Sequence, residues 1–189
     1  MNYLAHLWLA DRARLPLAGA VLGDGVRGRL EGRFAPALER SIRLHRRIDA
    51  LTDAHPCVRA ARVRFAPGAR RYAGIVLDLI YDHALACDWP CYSAEPLADF
   101  ARRAAREVAA ASEAFLALRL APPDAAAFER WLWSYREEAG LERAFARVAA
   151  RLSRPDALLQ AARDWREHLP AARATLSGLL ADLRATALP

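Results

Sequence analysis

Apolar residues recur at intervals of three and four along nearly the whole chain, with arginine and acidic residues filling the positions between. The stretch ADFARRAAREVAAASEAFLALRL at 98–120 is typical: one apolar stripe, arginines opposite. That period belongs to amphipathic helices, whereas short alternating β-branched runs bounded by turn residues are missing. Helices are expected over roughly 2–11, 15–27, 36–54, 56–65, 69–89, 94–119, 123–138, 140–152 and 156–185. The breaks fall at Gly23, Gly25 and Gly28, at Pro56 and Pro67-Gly68, and at Pro90, Pro96 and Pro122-Pro123. The pattern therefore predicts an all-α, single-domain multi-helix bundle over residues 1–189. Within it, 1–90 would carry a site and 94–189 would act as helical scaffold and possible partner surface.

One segment breaks the amphipathic rule. Residues 73–87, AGIVLDLIYDHALAC, are too apolar to face water on any side, yet include Asp78, Asp82 and His83. A lone ionised carboxylate in an apolar core costs several kcal/mol unless a cation or partner compensates. Residues four apart on a helix lie about 40° apart around its axis, so Asp78 and Asp82 share a face, with His83 on its flank. Two acids turned the same way in a dry place repel each other, and a divalent ion would relieve the conflict.

Length and composition add bounds. The chain of 189 residues suits one domain with a real core. No apolar run approaches a membrane span, and MNYLAHLWLADRARL lacks a basic leader and a cleavage site, so it reads as a first structural helix. Cys57, Cys87 and Cys91 form no disulfide framework, which favours reduced thiols and a cytoplasmic setting; Cys87 and Cys91 lack two further soft ligands for zinc. The formal charge is +6, and all 28 cationic residues are arginine, a bias that genome composition explains best. A basic surface nevertheless suits an acidic partner. Aromatic residues interleaved with basic ones, as single-strand binding requires, are not evident, which argues against a nucleic-acid partner.

Three further motifs carry candidate chemistry. His45, Asp49 and Asp53 lie at i, i+4 and i+8 in HRRIDALTD, a spacing from which an imidazole and a carboxylate can ligate one ion. Asp53 reads equally well as a cap for the next helix, His45 with Asp49 as a surface pair, and Arg46 with Arg47 as a solvated face or a phosphate clamp. In Leu22-Gly23-Asp24-Gly25-Val26-Arg27-Gly28, glycines on both sides of Asp24 allow a close approach, although a plain helix end explains them too. In Asn2-Tyr3-Leu4-Ala5-His6, Asn2 is a candidate cap and His6 a core histidine or a substrate contact. His168 reads as surface. Together, Asp24, His45, Asp49, Asp78, Asp82 and His83 supply a mixed nitrogen and oxygen donor set suited to Mn²⁺ or Mg²⁺.

MNYLAHLWLA, GDGVRG at 23–28, HRRIDALTD at 45–53 and DLIYDHALACDW at 78–89 together resemble the acyl carrier protein phosphodiesterases, across about the first ninety residues in order. The resemblance implies hydrolysis of the phosphodiester between 4′-phosphopantetheine and a serine of holo-acyl carrier protein, an acidic protein substrate. It implies a divalent metal, Mn²⁺ or Mg²⁺, and distant kinship with HD-domain phosphohydrolases, whose His-Asp dipeptide appears here reversed as Asp82-His83. By resemblance, Asp24, His45, Asp49, Asp78 and Asp82 are the expected metal ligands. Asp24, Asp82 and His83 are the expected proton-handling residues, and Arg27, Arg46, Arg47 and His6 the expected substrate contacts. The residues alone leave two alternatives open: a related metal phosphohydrolase acting on a nucleotide or another small phosphodiester, and a non-catalytic basic helical binding module.

Overall fold

A computed structural model describes residues 1–187 of the chain and contains, among them, eleven α-helices and no strand. The helices are α1 Tyr3–Arg12, α2 Leu17–Leu22, α3 Pro36–Ala54, α4 Pro56–Arg62, α5 Ala73–Cys87, α6 Leu97–Ala110, α7 Ser112–Ala117, α8 Ala125–Ser134, α9 Glu138–Ala149, α10 Pro155–Ala162 and α11 Trp165–Ala187. Single 3₁₀ turns occupy Arg70–Tyr72 and Trp89–Cys91. The starts follow local chemistry. Asn2 accepts the Tyr3 N–H at 2.7 Å, Asp124 accepts the Ala127 N–H at 2.7 Å, and prolines open α3, α4 and α10.

The apolar segment α5 is the central post. Helices α1, α4, α9, α10 and α11 pack around it, and all its side positions except Gly74, Ile75, Asp78 and Cys87 are buried. A helix apolar on every side has to be enclosed in this way. On one flank, α1 and α3 meet α2; on another, α6 packs on α8 and α2.

Three expected helices are shorter or divided. The second ends at Leu22, where the glycine-rich loop begins. The 94–119 stretch breaks at Ala111, which leaves helical geometry with ψ at 28°, and the 156–185 stretch breaks between Ala162 and Trp165. The glycines in and just after α2 have a packing role. Gly19 and Gly23, four apart, face Ser41 and His45, four apart on α3. A Cβ at either glycine would collide with the Ser41 side chain or the His45 ring. Small residues at that spacing let the two backbones approach closely.

Cys57, Cys87 and Cys91 are free thiols. Among the described residues, no helix is long and apolar enough to cross a membrane.

Candidate functional site

The α2–α3 contact delivers His45 to a cluster shared with α1. His45 Nδ1 donates to the Ala20 carbonyl at 2.8 Å, which fixes the ring and turns Nε2 toward Asp24 Oδ1 at 3.2 Å and Asp49 Oδ2 at 3.1 Å. From α1, His6 stacks on His45 with ring centres 3.9 Å apart and planes 20° apart. Its Nε2 faces Asp49 Oδ1 at 2.9 Å and the Met1 carbonyl at 3.2 Å. Both are acceptors, so Nε2 carries the proton, and His6 Nδ1 is left buried without a partner. One donor atom from each of His6, His45 and Asp49 falls within 4.8 Å of the others.

The electrostatics divide the two imidazoles. Burial lowers the pKa of His6 to about 4, so the ring is neutral. Burial pulls His45 the same way, but hydrogen bonds and attraction to Asp24 and Asp49 prevail and raise it to about 9. Burial opposes ionisation of Asp49, yet hydrogen bonds from both rings hold its carboxyl far below the usual range. Without an ion, the cluster is a carboxylate gripping one imidazolium and one neutral ring.

Two cavities meet at Asp24, whose side chain is 60% exposed. The first, about 410 Å³, is lined by Met1, Asn2, Asp24, Asp49, Asp53 and Asp78 among others, and is acidic. The second, about 620 Å³, runs from Asp24 past Tyr3 and Arg151 to Phe128, Trp131 and Arg147. Burial and the nearby Asp24 raise the Tyr3 phenol to about 12, against the opposing pull of Arg151.

The donor set fits a divalent cation. Two imidazole nitrogens and a carboxylate oxygen are ligands for Mn²⁺ and similar ions. The Ala20 carbonyl orients His45 as an outer partner should, and the free Nδ1 of His6 can take the proton when Nε2 becomes a ligand.

The structure brings Asp24, His45, Asp49 and His6 together, and gives other surroundings to the remaining expected residues. Asp78 pairs with the α-ammonium of Met1 at 2.8 Å. Asp82 accepts the Leu4 N–H at 2.7 Å and the Ala5 N–H at 3.2 Å, so it satisfies the free donors at the start of α1 from a helix 78 residues away. Burial still pushes the Asp82 carboxyl up to about 7. Each of these two acids thus finds a partner among residues 1–5.

His83 turns off this face altogether. Its Nδ1 donates to the Tyr135 carbonyl at 2.6 Å, and its ring meets Trp165 edge-on at 5.4 Å. Arg46 binds the Val26 and Gly28 carbonyls and so clamps the glycine-rich loop. Arg47 lies with Arg14, Arg40 and Arg43 along a groove on the other side of α3, and Arg27 is exposed. Asp53 pairs with Arg62 at 3.2 Å, while His55 caps α4 through the Cys57 N–H. His168 is half-buried and stacks on Phe65. Sequence reasoning missed Tyr3, Trp131, Arg147 and Arg151. The one available signal was the i, i+4 spacing of the two arginines beside a tryptophan-rich helix.

A family model described as Acyl carrier protein phosphodiesterase matches residues 1–183. A protein named acyl carrier protein phosphodiesterase from Enterobacter sp. (strain 638) is 38% identical over 178 residues, covering 90% of this chain and 89% of its own. One of the same name from Escherichia coli O139:H28 is 39% identical over 165 residues, covering 84% and 82%. A third, from Serratia proteamaculans (strain 568), is 51% identical over 89 residues, covering 47% and 46%. No solved structure matches the chain.

Proposed function

The chain belongs to the acyl carrier protein phosphodiesterase family, and on that premise we propose that it hydrolyses the phosphodiester joining 4′-phosphopantetheine to a serine of holo-acyl carrier protein, with a divalent metal at His6, His45 and Asp49. The observation that carries the reading is the convergence of those three donors from α1 and α3, four residues apart within α3, in a chain matched by the family from residue 1 to 183. Mn²⁺ and Mg²⁺ both suit a site beside carboxylates: Asp24, Asp53 and Asp78 are among the residues lining the adjoining cavity.

A bound ion in such a position polarises a phosphoryl oxygen and lowers the pKa of a coordinated water. The residues of the chain do the rest. Asp49 holds His6 and His45 in register, and the Ala20 carbonyl keeps the His45 proton on Nδ1 once Nε2 is a ligand. Asp24, exposed at the junction of the cavities, is placed to accept a proton from the attacking water. Water oxygen bonds to phosphorus, the bond from phosphorus to the serine oxygen breaks, and the serine oxygen leaves with a proton. The products are apo-acyl carrier protein and 4′-phosphopantetheine. The acidic carrier protein would meet a chain of net charge +6.

Incubation of the protein with holo-acyl carrier protein and Mn²⁺, followed by intact-mass measurement, tests this. The expected result is loss of the phosphopantetheine mass from the carrier protein, abolished by a chelator. An unchanged mass, with hydrolysis of a nucleotide or bis-p-nitrophenyl phosphate in its place, would move the assignment to a small phosphodiester.

A further inference from the structure

The 620 Å³ groove beside Asp24 is not used by the reaction as described above, yet it opens directly onto its centre. Its wall is an aromatic triangle built from two separate helices. Tyr3 of α1 meets Trp131 edge-on at 5.2 Å and Phe128 at 6.2 Å, and Phe128 meets Trp131 at 5.8 Å. Such T-shaped contacts fix the rings in place before any ligand arrives. Leu120 forms one lip, where it folds over Gly25 of the glycine-rich loop and stays 39% exposed. Both arginines sit along the same edge: Arg147 stacks over Trp131 at 4.3 Å, and Arg151 is exposed near the Tyr3 hydroxyl. The volume lies within the roughly 300–1,000 Å³ of small-ligand sites.

We propose that this groove is the binding site for the pantetheine arm, with the Tyr3–Phe128–Trp131 wall, backed by Arg147, holding the chain and Arg151 meeting the phosphate at the Asp24 end. The inference rests on the hydrolase reading above and deepens it. The arm is a flexible chain of methylenes and a geminal dimethyl group, interrupted by two amides, with its negative charge at one end. An apolar wall with a cation, Arg151, at the end nearest the reacting centre matches that distribution of polarity. Because the bond to serine is the one that breaks, the phosphate leaves with the arm, and the groove then holds the product. A rigid aromatic wall lowers the ordering cost of binding so mobile a chain.

Calorimetric titration of the Mn²⁺-supplemented protein with 4′-phosphopantetheine and, separately, with inorganic phosphate tests the proposal. The wild type is expected to prefer 4′-phosphopantetheine by roughly tenfold or more, as loss of an aromatic anchor from a binding pocket usually shows. Trp131→Ala, and Leu120→Arg at the exposed lip, should each erase most of that preference; circular dichroism reports whether each variant folds. No preference in the wild type, or a preference that survives in a folded Leu120→Arg variant, overturns the proposal. Equal affinity for holo- and apo-acyl carrier protein without binding of free 4′-phosphopantetheine also overturns it, by assigning the groove to a protein segment. Binding of the arm without any cleavage of holo-acyl carrier protein leaves the groove standing and removes the hydrolase reading.

Discussion

At the residue scale, His45 would make the proposed metal binding a proton exchange. With its pKa at about 9, it holds a proton at neutral pH that an entering cation must displace, whereas His6, at about 4, holds none to give up. Apparent Mn²⁺ affinity should therefore rise about tenfold per pH unit up to roughly pH 9, with about one proton released per ion in calorimetry across buffers. Asp49→Asn should weaken binding on the order of 100-fold or more, beyond the loss usual for an outer partner. Asp82 behaves differently. Its folded pKa, about 7, lies above the ordinary 3.8, so the folded chain keeps a proton the unfolded chain has lost between those values. Stability is then full below the lower value and falls as pH rises through the window, levelling off above about 7. Denaturant unfolding at pH 5 and pH 8 should show that decline, and Asp82→Asn should flatten it. His83→Gln should cost about 1 kcal/mol through its lost bond to the Tyr135 carbonyl, with Mn²⁺ affinity unchanged.

At the scale of elements, the site depends on how near α2 and α3 lie. Gly23→Ala places a methyl group inside the His45 ring, so the ring or the helix must move. The expected outcome is a Mn²⁺ affinity at least tenfold lower with the protein still folded; Gly28→Ala, where nothing crowds the Cβ but φ is +76°, should affect stability without that loss. Helical spacing made half of this arrangement readable in advance. His45 and Asp49 at i, i+4 had to share a face, and a carboxylate between glycines invited a close approach. The apolar run of α5 likewise announced a fully enclosed helix. The fates of Asp82 and His83 were not readable, because the Leu4 and Ala5 amides and the Tyr135 carbonyl lie 52 to 78 residues away in the chain. Local pattern carries no trace of so distant a partner.

For the molecule as a whole, basic charge and the groove act at different ranges. On the proposed reading, arginines would steer an acidic carrier protein over distances that salt screens, about 10 Å at 0.1 M and 3 Å at 1 M, whereas the groove would act only in contact. Turnover of holo-acyl carrier protein at low substrate should fall several-fold between 0.05 and 0.5 M salt through the association rate, and a small substrate with a single negative charge, such as bis-p-nitrophenyl phosphate, should show much less dependence.

The bonds from Leu4 and Ala5 to Asp82 also govern the order in which the polypeptide can mature. During synthesis the segment LAHLWLA emerges well before α5 and waits, without its anchoring acceptor, until translation has passed position 82. That apolar segment would therefore stay uncovered for part of synthesis, and closing so large a loop carries an entropic cost. A holdase that shields those opening residues would serve this chain more than one acting on its later helices.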